Sequence, residues 1–304
     1  MVGSGRRGRS ALALVTAVVL AACGGGGGQF NALPQPAPPA QTTVSGLSGP
    51  EGLCFDSNGN LYIGSITGEI TRVFPDGSRE IFADLNRELA GLTTGPQNEI
   101  FAASPRTGEV LAVSQDGVVR VATSALDTPR AIVFDTMQRA IVSAYGLGGD
   151  PQIAVIEFNG TYHTLTTEIH SPNGMAFGPN HLLFVADTEM NRVVSMALDS
   201  AGNVEEPTVY ASGIGRPNGI AFDQKGNLYV ASGGQVWVVQ PNNATLIPFV
   251  ESGDLDEPAN LAFGFGTGRD TGILYFTNFG FPLGTGTTVA RTTAGIPGYQ
   301  LFAP

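Results

Sequence analysis

Ser171-Pro172-Asn173-Gly174-Met175-Ala176-Phe177 decides the fold of this chain, because it returns almost intact as Arg216-Pro217-Asn218-Gly219-Ile220-Ala221-Phe222. Looser copies are Gly49-Pro50-Glu51-Gly52-Leu53-Cys54-Phe55, Thr128-Pro129-Arg130-Ala131-Ile132-Val133-Phe134 and Glu257-Pro258-Ala259-Asn260-Leu261-Ala262-Phe263. A degenerate copy, Glu88-Leu89-Ala90-Gly91-Leu92, fills the remaining interval. Each is a turn followed by a short apolar run. Their spacing of roughly 40–45 residues is the period of a stacked or circular repeat.

Within one repeat the pattern predicts four strands. In the first, strands over 52–55, 61–64, 69–74 and 78–83 are separated by Asp56-Ser57-Asn58-Gly59-Asn60, by Ser65 to Gly68 and by Pro75-Asp76-Gly77. Asn-Gly and Asp-Gly suit hairpins because those turns need positive φ. Asp223-Gln224-Lys225-Gly226-Asn227-Leu228-Tyr229 repeats the first of these turns and the strand after it. Six such units predict an all-β chain, a six-bladed β-propeller with four-stranded antiparallel blades. Solenoid coils are shorter than this period. Closing the ring requires a strand from one terminus, and two segments qualify, Thr42-Thr43-Val44 and Tyr299 to Phe302.

The propeller is expected over 42–304. Residues 1–22 read as a signal peptide, with Arg6, Arg7 and Arg9 before a short apolar stretch. Leu20-Ala21-Ala22-Cys23 resembles a bacterial lipobox, which implies lipidation of Cys23; the alternative is an ordinary cleaved signal with an incidental cysteine. Residues 23–41, rich in Gly, Pro and Ala, read as a tether. The expected location is the bacterial cell envelope, at the outer membrane or the extracytoplasmic face, held by the lipid alone. Without the leader, 12 basic residues face 26 acidic ones, a net of −14, which argues against nucleic acid as a partner. Cys54 would then be the one remaining thiol, in an apolar run, and reads as a small core residue. A monomer is expected.

In a propeller the innermost strands surround a central channel, so the residue after each turn proline recurs around one mouth. Around that ring stand Glu51, Ala90, Arg130, Asn173, Asn218 and Ala259. A carboxylate and two amides are oxygen donors suited to a hard divalent cation such as Ca²⁺. The same Pro-Asn-Gly pattern also suits an ordinary turn, in which Asn bonds its own backbone. Asp187, at a strand end, is a candidate base, or with Thr188 only terminates the strand. His163, His170 and His181 show no two-His metal spacing, and no nucleophile elbow, zinc motif or phosphate loop is present. The Gly-rich loops 144–151 and 279–287 are expected over the channel.

The Pro172-to-Phe177 motif with Leu183-Phe184-Val185-Ala186-Asp187-Thr188, and Pro217 to Asp223 with Gly226 to Ala231, resemble the fourth and fifth blades of the senescence-marker-protein/gluconolactonase family. Pro258 to Gly264 with Leu274 to Thr277 is similar to its closing blade, and Gly49-Pro50-Glu51-Gly52 to its opening motif. The resemblance implies an enzyme of the Ca-dependent lactonase or esterase kind, with a divalent metal in the channel held by Glu51, Asn173 and Asn218. Glu51 is then also a catalytic candidate beside the strand-end Asp187, and the residues themselves offer Asn260 and Arg130, which could hold a substrate carboxylate, as substrate-binding candidates. Two positions depart from the family pattern. Asn218 stands where an Asp is most common, and an amide is no general base. Arg130 replaces a metal or substrate contact, and would repel a cation unless an anion bridged them. The alternative reading is a non-catalytic propeller that binds a protein or glycan partner at the envelope.

Overall fold

The computed structural model describes residues 38–145, 150–199, 203–241, 245–251, 255–280 and 282–301. The signal peptide, Cys23 and most of the tether lie outside the described residues. Among the described residues, twenty-four strands form six sheets of four, each antiparallel and each ordered from the channel outward. The innermost strands are Pro50–Phe55, Leu92–Thr94, Pro129–Phe134, Pro172–Phe177, Pro217–Phe222 and Pro258–Phe263, defining blades 1 to 6. Their unpaired edges face the axis. The one helical segment among the described residues is a 3-10 turn, Pro96–Asn98.

The recurrent Asp-x-x-Gly-Asn-x-Tyr stretch explains the first hairpin of blades 1 and 5. Asp56 Oδ1 accepts the N–H groups of Asn58 and Asn60 (3.0 and 2.8 Å), and Oδ2 accepts Asn60 Nδ2 (2.8 Å) and the Tyr62 hydroxyl (3.0 Å). Asp223 does the same with Lys225, Asn227 and Tyr229. Gly59 and Gly226 supply the positive φ, +81° and +82°. Both aspartates are fully buried. A buried carboxylate is tolerable here because all its hydrogen-bonding capacity is used.

Packing between blades follows from the last residue of each innermost strand. Phe55 meets Tyr275, Phe134 meets Phe101, Phe222 meets Phe184 and Phe263 meets Tyr229, edge to face with centroids 4.7–5.2 Å apart. In each pair the second ring belongs to the preceding blade. Such contacts add about 0.5–1.5 kcal/mol each beyond area burial. Six separate apolar clusters result, one at each blade interface. Cys54 is buried in one of them, and burial pushes its thiol up to about 12.

Of the two closing segments, the N-terminal one joins the ring. Gln41–Val44 is the outermost strand of blade 6, paired antiparallel with Thr288–Thr293. Arg269 adds a clasp from blade 6 to blade 1, donating to the carbonyls of Gly59, Val73 and Phe74. The C-terminal segment runs instead across the opposite face from the Pro-x-Gly turns. Tyr299 N–H donates to Phe222 O (2.8 Å), and Gln224 N–H donates to Pro297 O (2.9 Å). There Tyr299, Gln300 and Leu301 floor a channel of about 190 Å³ lined by the innermost strands.

Candidate functional site

The third residue of each motif sets how closely the blades approach. A Cβ on Gly174 would lie 2.2 Å from Asn218 O, one on Gly52 2.3 Å from Ala90 O, one on Gly91 2.5 Å from Arg130 O, and one on Gly219 2.6 Å from Ala259 O. Glycine is needed at these places to let one blade's backbone reach the next. In blades 3 and 6 the third residue carries a side chain, Ala131 or Asn260, and a hydroxyl from the second strand fills the role. Ser143 Oγ donates to Asn173 O (2.7 Å), and Thr277 Oγ1 donates to Glu51 O (2.8 Å). The ring that carries the candidate ligands is thus fixed by backbone contacts at each step from blade to blade.

Glu51, Arg130, Asn173 and Asn218 open into one cavity of about 460 Å³ at the Pro-x-Gly mouth, with Ala259 beside them. Tyr145, Phe279 and Pro282, from the two Gly-rich loops, complete its wall. All four polar ring residues are half-buried. The side chains of Glu51, Asn173 and Asn218 make no hydrogen bond among the described residues. The turn asparagines behave differently: Asn60, Asn203 and Asn227 all bond through their side chains to a neighbouring Asp. The ring amides are therefore not spent on local turn chemistry. One carboxylate and two amides, unpaired and facing one cavity, are a donor set that fits a hard cation. No group of three His, Cys, Asp or Glu suited to a metal occurs among the described residues, so any such site depends on the amides.

Burial raises the Glu51 carboxyl from 4.5 to about 7, against the opposing pull of the Arg130 guanidinium and with a further push from Glu88. Such an acid is partly protonated at neutral pH. Arg130 stands within electrostatic reach of Glu51, yet its guanidinium has no hydrogen bond or ion pair among the described residues.

Asp187 does not reach the cavity. It ends the second strand of blade 4, opposite Pro172, and is fully buried. Its Oδ1 accepts Ser171 N–H (2.9 Å) and Oγ–H (3.2 Å), and Oδ2 accepts Arg192 Nε (2.8 Å). Ser232 and Asn278 hold the same register position in blades 5 and 6. Asn260 lies one residue deeper than the ring and lines the floored channel. Its Oδ1 is engaged by Leu261 N–H (2.8 Å).

Four cavity groups, Glu88, Glu189, Arg216 and Glu257, lie outside the motif ring. Glu88, two residues before the ring position of blade 2, lines the cavity and pairs with Arg106. Glu189 accepts from the Tyr145 hydroxyl (2.7 Å) and stands 3.5 Å from His170 Nδ1. Arg216 also lines the rim. Arg216 and Glu257 precede turn prolines with φ of +54° and +48°. That unusual backbone turns them toward the mouth, and an unlabelled polar residue before Pro was the only available signal.

The model of the SMP-30/Gluconolactonase/LRE-like region matches residues 127–279, and that of the strictosidine synthase-like N-terminal region matches residues 41–73. No curated protein sequence matches the chain. A luciferin-regenerating enzyme superposes with a TM-score of 0.73 at 15% identity, over 86% of this chain and 97% of that one. A gluconolactonase from Xanthomonas campestris gives 0.70 at 17% identity, over 86% and 89%. Regucalcin from Agrobacterium tumefaciens, described as a calcium-binding protein, gives 0.70 at 18% identity, over 88% and 97%. At these identities the likeness speaks for the fold.

Proposed function

The chain belongs to the SMP-30/gluconolactonase/LRE-like family, and from that premise we propose that it is an exported, metal-dependent hydrolase of a small lactone or ester. The observation that carries this is the set of unpaired oxygen donors, Glu51, Asn173 and Asn218, on one half-buried cavity. These three would hold a divalent cation, Ca²⁺ by the hardness of the donors. Bound there, a cation would supply Lewis-acid polarisation of an ester carbonyl and acidification of a bound water. Asn218 and Asn173 orient and cannot accept a proton. Proton transfer would then fall to Glu51, the carboxylate of the ring itself. The Gly-rich loops, through Tyr145 and Phe279, narrow the mouth over the bound substrate.

The test is metal analysis of the purified protein, followed by thermal melting with Ca²⁺ and pH-stat assays on simple sugar lactones. Ca²⁺ should raise the melting temperature and support hydrolysis, and Glu51→Gln should lose both effects. A protein that gains no stability from Ca²⁺ and opens no lactone is not this enzyme.

Two residues favour a second reading, a propeller that binds a protein or glycan without chemistry. Asn218 supplies no base, and Arg130 puts a positive charge on the ring. Metal binding without turnover on any lactone or ester would select it. Export rests on the leader and on Cys23, and metabolic labelling with palmitate, lost in Cys23→Ser, tests the lipid anchor.

A further inference from the structure

Arg130 is out of keeping with its surroundings. Six other arginines, Arg72, Arg87, Arg106, Arg120, Arg139 and Arg192, each pair with a carboxylate. Arg79 and Arg269 donate to backbone carbonyls. Arg130 is half-buried, faces the cavity and has neither kind of partner among the described residues. Its cavity neighbours are already committed, Glu88 to Arg106 and Glu189 to Tyr145. Glu51 and Glu257 remain on the cavity; Glu51, the one whose carboxyl feels the Arg130 charge, is the charged ligand of the proposed cation site. A guanidinium and a divalent cation on one ring repel each other unless a negative group lies between them.

Arg130 also lines a second cavity of about 600 Å³, shared with Glu88 and bordered by Arg106, Thr107, Asp127 and Thr128. That cleft lies between blades 2 and 3 and continues the central cavity sideways. Its hydroxyls and its carboxylates suit a chain bearing several OH groups, while its Glu88 charge is already matched by Arg106.

We infer that the natural ligand is an acidic, polyhydroxylated molecule, a sugar-acid lactone, whose carboxylate lies between Arg130 and the channel cation while its hydroxylated chain extends into the cleft. This rests on the cation-site reading above. It has a thermodynamic consequence: cation and anion each strengthen the binding of the other by the same factor. Arg130 is then a specificity-determining residue that penalises the cation alone and rewards the pair.

The experiment is calorimetric titration of Ca²⁺ into the protein, alone, with saturating D-glucarate, or with neutral D-glucitol. Ca²⁺ should bind at least about fivefold more tightly with glucarate and unchanged with glucitol. Chelation of Ca²⁺ by free glucarate acts in the opposite direction, so tightening is not an artefact of it. Arg130→Gln should bind Ca²⁺ alone more tightly than wild type and lose the coupling. Arg130→Lys, which keeps the charge, should retain part of it. Ca²⁺ binding that glucarate leaves unchanged, or coupling that survives in Arg130→Gln, overturns this inference and leaves the cation site standing. Absence of Ca²⁺ binding with and without glucarate overturns both.

Discussion

The Ser143 hydroxyl donates to the Asn173 carbonyl oxygen at 2.7 Å and accepts the Ala131 N–H at 3.0 Å, joining blades 3 and 4 at the ring that carries the candidate ligands. Thr277 makes the same double contact between Asn260 and Glu51 in joining blade 6 to blade 1. Both hydroxyl residues are buried. Ser143→Ala should leave a buried donor and acceptor without partners, at a cost of roughly 1–3 kcal/mol. Urea unfolding measures this, and a variant with the wild-type midpoint would show that the bridge is replaced without loss.

The glycine steps of the ring predict a contrast between two small substitutions. Gly174→Ala places a methyl 2.2 Å from Asn218 O and 2.8 Å from Gly219 Cα, both backbone atoms that a rotamer change cannot clear. It should cost about 1–3 kcal/mol or more, and displace Asn218. Gly77→Ala meets nothing within 4 Å and bears only the strain of its φ of +88°, about 1–2 kcal/mol. Paired melting curves decide; equal losses would mean that the close approach relaxes freely.

The repeat and its blade count were legible because each innermost strand begins at a proline and each hairpin carries its own turn residues. The ring was legible for the same reason: the residue after proline is fixed in register by the strand that follows. Closure was not, since Thr42–Val44 and the segment from Tyr299 both present short alternating runs, and only packing against Thr288–Thr293 separates them. Asp187 looked like a strand-end base, but its sequence gives no hint that Ser171 and Arg192 consume both oxygens. Glu88 was hidden because blade 2 lacks the proline that would have set its register, so the carboxylate reaches the cavity from outside the motif. Asn260 carried the right chemistry one residue too deep.

Glu51 makes stability depend on pH in an uncommon direction. Its carboxyl titrates near 7 in the metal-free native state and at about 4.5 when exposed. Between those values the native state holds a proton that the unfolded chain has released, so stability falls as pH rises through the window. Glu51→Gln should flatten that fall and be the more stable protein at pH 8 without metal. Denaturant midpoints from pH 4.5 to 8 test it, and an identical slope in the variant would sink the assignment. Cation binding should reverse the difference, stabilising wild type at pH 8.

Asp187→Asn separates a structural from a chemical role. Burial and the pair with Arg192 predict a loss of about 3–5 kcal/mol when one partner of a buried pair loses its charge, somewhat less here because Arg192 is partly exposed. Activity per folded molecule should not change, since the side chain does not line the cavity. A pH profile shifted in the folded variant would instead bring Asp187 into the chemistry.

Asn218→Asp bears most directly on what the cavity is for. A second carboxylate on the ring raises the negative charge that a hard cation meets, and ligand charge is a main determinant of Ca²⁺ affinity. Ca²⁺ should bind on the order of tenfold or more tightly in calorimetry. In the metal-free protein the new charge faces Glu51 and Glu88 across the same cavity, so the variant should be less stable than wild type at pH 8 and recover fully when Ca²⁺ is added. The aspartate also restores a proton acceptor that the native amide lacks. If lactone turnover rises with affinity, the native Asn218 tempers an enzyme. If affinity rises and no turnover follows, the cavity binds without hydrolysing. An unchanged affinity would remove Asn218 from the cation site altogether, leaving too few donors for the proposed reading.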